Sequence, residues 1–211
     1  MKKITIQNKE EWKAFILREA RYYIPEQCYG GICVDAGANI GDFPLNHGTR
    51  FDRYICYDVF QENIEECIKN TKDLGVPVEA YKRAVWGEAN EEVEVYAYRQ
   101  SSNGLQHFGN SGNVGCIEHM DTEGYGWVKD NTIDKAPSIS LEEIIEKYGE
   151  INLLKIDVEG SEYPFLLNKD LSKVNHIVGE MHFGKEQQIE LINWLNKFGK
   201  FNPACWTNLQ V

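Results

Sequence analysis

The chain has 211 residues, 42% of them hydrophobic, with a formal charge of −11. That length buries roughly two thirds or more of the unfolded surface around one core, so one domain over residues 1–211 is expected. The acidic balance disfavours nucleic acid and anionic membranes, which gain no counterion release from such a surface, and leaves a small molecule or a saccharide as the expected partner.

The first 29 residues read as a helical lead-in, because Trp12, Phe15, Ile16, Ala20 and Tyr23 recur at helical spacing. No apolar segment follows the lysines of MKKITIQNKEEWKAF, and no run of about eighteen apolar residues occurs anywhere. Neither a signal peptide nor a membrane span is expected, and the cytoplasm is the expected location. The six cysteines, at 28, 33, 56, 67, 116 and 205, form no CxxC pair. Reduced core cysteines are expected, with no disulfide framework or zinc site.

Beyond the lead-in, strand-like runs alternate with helical periods, the pattern of a mostly parallel sheet covered on both faces. GICVDAG is the first predicted strand and RYICYD (53–58) the second, followed by a helix over 62–74 that stops before Gly75 and Pro77. VEAYKRAV (78–85) is the third. EVEVYAY (92–98) alternates cleanly and is expected to pair antiparallel with what precedes it. The segment 101–132 has no clear period and is rich in Gly, Ser and Asn, with His107, Phe108, His119, Tyr125 and Trp127 among them. It reads as an insertion, either a substrate-contacting lid or a surface excursion. Ser140 and Glu143 form a capping box for a helix over 141–148, which Gly149 ends. INLLKIDVEG and HIVGEMH are two further strands, a helix spans about 185–198, and the tail supplies one or two closing strands.

The stretch CVDAGANIGDFP (33–44) stands at the end of the first strand, where open α/β sheets hold ligands. Gly37 and Gly41 let the chain turn sharply and let a ligand reach main-chain N–H groups, so a side chain at Gly37 is expected to occupy ligand space. The spacing is not GxGxxG. Asp35 sits poorly beside phosphates and well beside a cation, which points to S-adenosylmethionine (SAM), with its ammonium and sulfonium. Asp58 ends the second strand, 23 residues after Asp35, and is placed either to accept ribose hydroxyls or to cap the next helix. A nicotinamide nucleotide makes the same demand on Asp58, so a nicotinamide-linked oxidoreductase is the competing reading, and a non-catalytic SAM-binding module is the third.

In LLKIDVEGSE (153–162), Lys155, Asp157 and Glu159 alternate and are expected on one face, and Glu180 and His182 share a face of the next strand. If the two strands are neighbours, these acid–base groups converge next to the cofactor's reactive end. The competing role for Glu159, Gly160 and Glu162 is to shape and cap the following helix.

VDAGANIG, YICYDVFQEN, RAVWGEANEEVEVY, GNSGN, SISLEEIIEKYGEINLLKIDVEGSE and IVGEMH occur in this order, and over roughly residues 30–182 the chain resembles the FkbM-type SAM-dependent methyltransferases. The resemblance implies a class I, Rossmann-like α/β fold with a seven-stranded sheet and a final antiparallel hairpin, abbreviated here by the short tail. It implies methyl transfer to a hydroxyl oxygen of a sugar, glycan or other small molecule. Asp58-Val59 stands where Glu-Pro is usual. Position by position, Asp35, Gly37, Ala38, Asn39 and Gly41 would hold the methionine part of SAM, Asp58 with Val59 the ribose, and Arg83, Ala84 and Val85 would flank the adenine. Lys155, Asp157, Glu159, Glu180 and His182 would form the catalytic group, with His182, Asp157 or Glu159 as the base. A divalent cation held by Asp157, Glu159 and Glu180 is the alternative activator.

Overall fold

The computed structural model describes residues 22–100, 114–115 and 127–211. In chain order the elements are β1 (Ile32–Ala36), α1 (Asp42–His47), β2 (Arg53–Asp58), α2 (Gln61–Thr71), β3 (Val78–Lys82), β4 (Ala84–Val85) and β5 (Glu92–Gln100). There follow β6 (Val114–Gly115), β7 (Trp127–Ile139), α3 (Leu141–Tyr148), β8 (Ile151–Ile156), α4 (Glu162–Leu166), β9 (Val174–Glu180), α5 (Lys185–Lys197) and β10 (Trp206–Thr207). The helical lead-in expected over 1–29 lies outside the described residues up to position 21, and its described part holds only the 3-10 turn Glu26–Cys28; most of the insertion expected over 101–132 also lies outside them. No helix among the described residues is long and apolar enough to cross a membrane.

Six strands form a wholly parallel sheet in the order β10-β9-β8-β1-β2-β3. Its central strands read as near-continuous apolar runs because helices cover both faces: Cys33, Val34, Ala36, Ile55, Cys56, Leu153, Leu154 and Ile156 are all fully buried. Helix α2 lays Ile64, Cys67 and Thr71 against the sheet at helical spacing. Helix α3 begins where Ser140 Oγ accepts the Glu143 N–H at 3.3 Å, and it ends at Gly149, whose φ is +81°.

The class of fold is as the sequence implies, with three differences of detail. Among the described residues the sheet has six strands instead of seven, and no antiparallel hairpin closes it. A 3-10 turn takes Pro203–Cys205, and Trp206–Thr207 pair as the two-residue β10, parallel to β9. The run 78–85 is two strands. Arg83 donates its N–H to the Asp58 carbonyl at 2.9 Å, and beyond it Ala84 and Val85 leave the main sheet to pair with Ser138 and Ile139. β5 pairs with β7 and β6, which follow it, and not with the strand before it. The alternating side of β5 explains the choice: Val93 and Val95 are buried with Phe60, Ala84 and Ala136 in a small core of their own. β7 starts at Trp127, so the last residues of the predicted insertion are strand.

One charged pair lies inside the main core. Lys155 Nζ stands 3.0 Å from Asp35 Oδ1, with the two side chains 4% and 0% exposed, and also donates to the Gly37 carbonyl at 2.7 Å. Burial raises the Asp35 carboxyl above its usual range against the pull of Lys155. Burial likewise opposes the Lys155 charge, but Asp35 and Asp157 outweigh it and hold the ammonium above its usual range. Asp35 therefore finds its cation within the chain. Lys155→Met is expected to cost about 3–5 kcal/mol in urea unfolding, since it strands a buried carboxylate, and Lys155→Met with Asp35→Asn to cost clearly less than the two separate losses added together.

Gly37 has φ +78°, and a Cβ there would lie 1.8 Å from the Asp157 carbonyl oxygen. The space that was expected to belong to a ligand belongs to the backbone after β8. Gly37→Ala is expected to destabilise the fold by about 3 kcal/mol or more and to lower Tm by about 6 °C or more. An unchanged Tm would show that the two turns can separate without loss.

Candidate active site

The carboxyl ends of β1, β2, β8 and β9 form one rim, and the candidate residues divide over it into two groups. The first surrounds the turn after β1. Gly37, Asn39 and Gly41 all have positive φ, and Gly41 sits where a Cβ would be 3.0 Å from Cys67 Sγ on α2. The N–H groups of Gly37 and Ala38 both donate to the Tyr57 carbonyl at 2.9 Å, and that of Asn39 donates to Asp58 Oδ2 at 2.9 Å. The turn is thus folded onto the end of β2, with three of its N–H groups directed into the protein.

Asp58 completes that join. Its Oδ1 accepts from the Phe60 N–H and from Asn63 Nδ2, each at 3.0 Å, so it caps the start of α2 as well as the β1 turn. Burial pushes its carboxyl up to about 6, against the pull of these hydrogen bonds. Asp35, Ala38, Ala84 and Val85 are interior residues. Gly37, Asn39, Asp58, Val59 and Arg83 are half-buried and form the accessible part of the predicted cofactor set. Arg83 also lines a cleft of about 470 Å³ with Tyr57, Tyr81, Ile139, Glu143 and Lys147. None of the acid–base cluster described next borders that cleft.

The second group lies past the ends of β8 and β9. Strand β8 stops at Ile156, so Asp157 and Glu159 lie in the turn that follows, and the Asp157 N–H donates to the Ala36 carbonyl at 3.0 Å. Glu159 and Gly160 both have positive φ, +52° and +112°. This turn bends back over β9, and the His182 imidazole meets four carboxylates there. Nδ1 is 2.8 Å from Glu162 Oε1. Nε2 is 3.0 Å from Glu180 Oε2, 3.5 Å from Glu159 Oε2 and 3.9 Å from Asp157 Oδ1. Tyr22 donates to Asp157 Oδ2 at 2.7 Å and Asn208 Nδ2 to Glu180 Oε2 at 2.9 Å.

Burial opposes charge on His182, but Glu159 and Glu162 outweigh it and hold the imidazole well above its usual range. Burial pushes Glu159 up to about 7, with His182 pulling the other way. The site is therefore an imidazolium inside an excess of carboxylate, and it presents negative charge to whatever enters. One ligand atom each of Asp157, Glu180 and His182 lie within 4.8 Å of one another, a spacing that also suits a divalent cation. As the side chains stand, the imidazole is the cation on which the carboxylates converge.

Of the five residues expected to act together, the structure gathers Asp157, Glu159, Glu180 and His182, and directs Lys155 to Asp35 and the β1 turn. Glu162, which the sequence offers as a shaper and cap of the following helix, is as close to His182 as any member. A second acid three residues after Glu159 was its one visible sign. Tyr22 and Asn208 gave none, being 135 and 28 residues from the acids they touch, Asp157 and Glu180.

Compared with known proteins, residues 35–201 match the model of the methyltransferase FkbM domain. No curated protein and no solved structure matches. The matched span opens on the buried Asp35, takes in the β1 turn and the whole His182 cluster, and covers well over half of the sequence. The chain belongs to the FkbM methyltransferase family.

Proposed function

We propose that the protein is a SAM-dependent O-methyltransferase acting on a hydroxyl group of a small molecule or saccharide. The observation that carries the reading is the His182 cluster, four carboxylates about one imidazole, set beside the β1 turn at the ligand end of the sheet. Such a donor set suits a cationic cofactor and repels a pyrophosphate. The inward N–H groups of Gly37, Ala38 and Asn39 argue the same way, since a nicotinamide dinucleotide would need them for its phosphates.

Bound here, SAM supplies a methyl group on a sulfonium sulfur that leaves as a neutral thioether. The turn over 37–41 and Asp58 are the residues that would hold it, with the remaining acceptor capacity of Asp58 turned to the ribose. The chain's own chemical task is to align an acceptor hydroxyl and take its proton as the oxygen forms its new bond to carbon. His182, already carrying its proton, has no place for a second, so we assign acceptance to Glu159. The charged imidazole stabilises the carboxylates around it, and Glu159 passes the proton on to solvent.

Incubating the protein with labelled SAM and a panel of hydroxylated acceptors tests the reading. Transfer to an oxygen supports it. Tight SAM binding with no transfer to any acceptor would favour the non-catalytic module, and tight NAD binding without SAM binding would favour the oxidoreductase. Asp58→Ala is expected to raise the SAM dissociation constant about tenfold or more in calorimetry, through lost charge-assisted hydrogen bonds; equal affinity would place the ribose elsewhere.

The pH profile follows from Glu159. Its carboxyl is raised to about 7, so below that value it is protonated and cannot accept, and turnover is expected to climb through about pH 7 and level off above. Glu159→Gln is expected to remove this rise and to lower turnover about a hundredfold, and a profile unchanged by the substitution would assign the proton to another group.

A further inference from the structure

Glu162 has no exposed surface, although it opens a helix of only five residues at the protein's ligand end. Its Oε1 accepts the Val158 N–H at 3.1 Å and lies 2.8 Å from His182 Nδ1, while its Oε2 accepts the Gly160 N–H at 2.8 Å. Helix shaping accounts for the two main-chain bonds. It does not account for the imidazole, which comes from the end of another strand 20 residues away.

Two consequences follow from these three contacts. A carboxylate only accepts, so the hydrogen between Glu162 and His182 belongs to Nδ1, and Nε2 is left as the nitrogen facing Glu180, Glu159 and Asp157. The main-chain bonds flank Glu159 on both sides, at Val158 and Gly160. Glu159 is a non-glycine residue at φ +52°, a conformation that persists where the surroundings over-determine it. The same carboxylate therefore fixes the turn that carries Glu159 and the ring that Glu159 faces.

We propose that Glu162 is the positioning residue of this site: it commits His182 Nδ1, aims Nε2 at the other carboxylates, and holds Glu159 within reach of it. Its effect on turnover rests on the methyltransferase reading above, whereas its hold on the ring does not.

The test uses the full chain labelled with ¹⁵N-histidine, with His182→Asn to identify the resonance. In the wild type at neutral pH, the His182 Nδ1 proton is expected downfield and protected from exchange with water. Glu162→Gln is expected to lose that protection and to lower methyl transfer about tenfold or more, with calorimetric affinity for S-adenosylhomocysteine within about threefold of wild type. A role confined to helix shaping would leave the Nδ1 proton freely exchanging in the wild type. That result, or a protected proton on Nε2 alone, overturns the proposal without any need for the variant to fold. So does a Glu162→Gln protein that keeps both the protected Nδ1 proton and full turnover. Failure of the wild type to bind S-adenosylhomocysteine would count against the proposed function, and the Nδ1 measurement would still decide the place of Glu162.

Discussion

The contact between the turn after β1 and the turn after β8 organises the ligand end of the protein. Gly37 lies so near the Asp157 carbonyl that no side chain fits between them, the Asp157 N–H donates to Ala36, and Lys155 reaches from β8 to Asp35 and to the Gly37 carbonyl. Main-chain contact and a buried ion pair act on the same pair of neighbouring strands. A buried pair is weak evidence of net stability, because desolvation offsets much of its attraction. Its effect here is geometric: a buried lysine held by the Asp35 carboxylate and the Ala36 and Gly37 carbonyls has few other positions, and that pins the register of β1 against β8 beneath both turns.

Every other part of the candidate site is attached to that join. The β1 turn leans on β2 through Tyr57 and Asp58, and Asp58 in turn fixes the start of α2. The β8 turn leans on β9 through Glu162 and His182. The rim thus consists of two turns supported from opposite sides by acidic residues, each carboxylate taking main-chain N–H groups that would otherwise be left unsatisfied. This explains why so many acids occur at the ligand end of one sheet. Some of them build the turns, and the charge left over makes the surface between them attractive to cations.

The division of labour among these acids bears on the chemistry. Asp35, which its sequence position suggests as a partner for a ligand's positive charge, is neutralised internally by Lys155. The negative field at the rim comes instead from the turn after β8 and the end of β9, around His182. A carboxylate raised to about 7 beside an imidazole held charged is a pair whose environments have pushed the two groups apart, the usual mark of an acid–base site.

Much of the architecture was legible in the chain itself, because strand and helix periods, the Ser140 cap and the Gly149 stop are local properties. RYICYD is β2 to the residue, and the family match runs from Asp35 in β1 to beyond the end of α5. Asp157, Glu159, Glu180 and His182 were readable as a group, since residues at the ends of two neighbouring parallel strands must meet. Partnership was not readable. Alternation placed Lys155 with Asp157 and Glu159, but the strand ends at Ile156, and the left-handed turn beyond it breaks the alternation and sends the acids one way and the lysine the other. The pairing of β5 with later strands, the departure of Ala84 and Val85 to a second sheet, and the reach of Tyr22 and Asn208 into the cluster depend on contacts between residues distant in sequence. Local propensity determined the elements and the kinds of group at their ends; which atoms face each other was decided only when burial forced each charge and each N–H to find a partner in three dimensions.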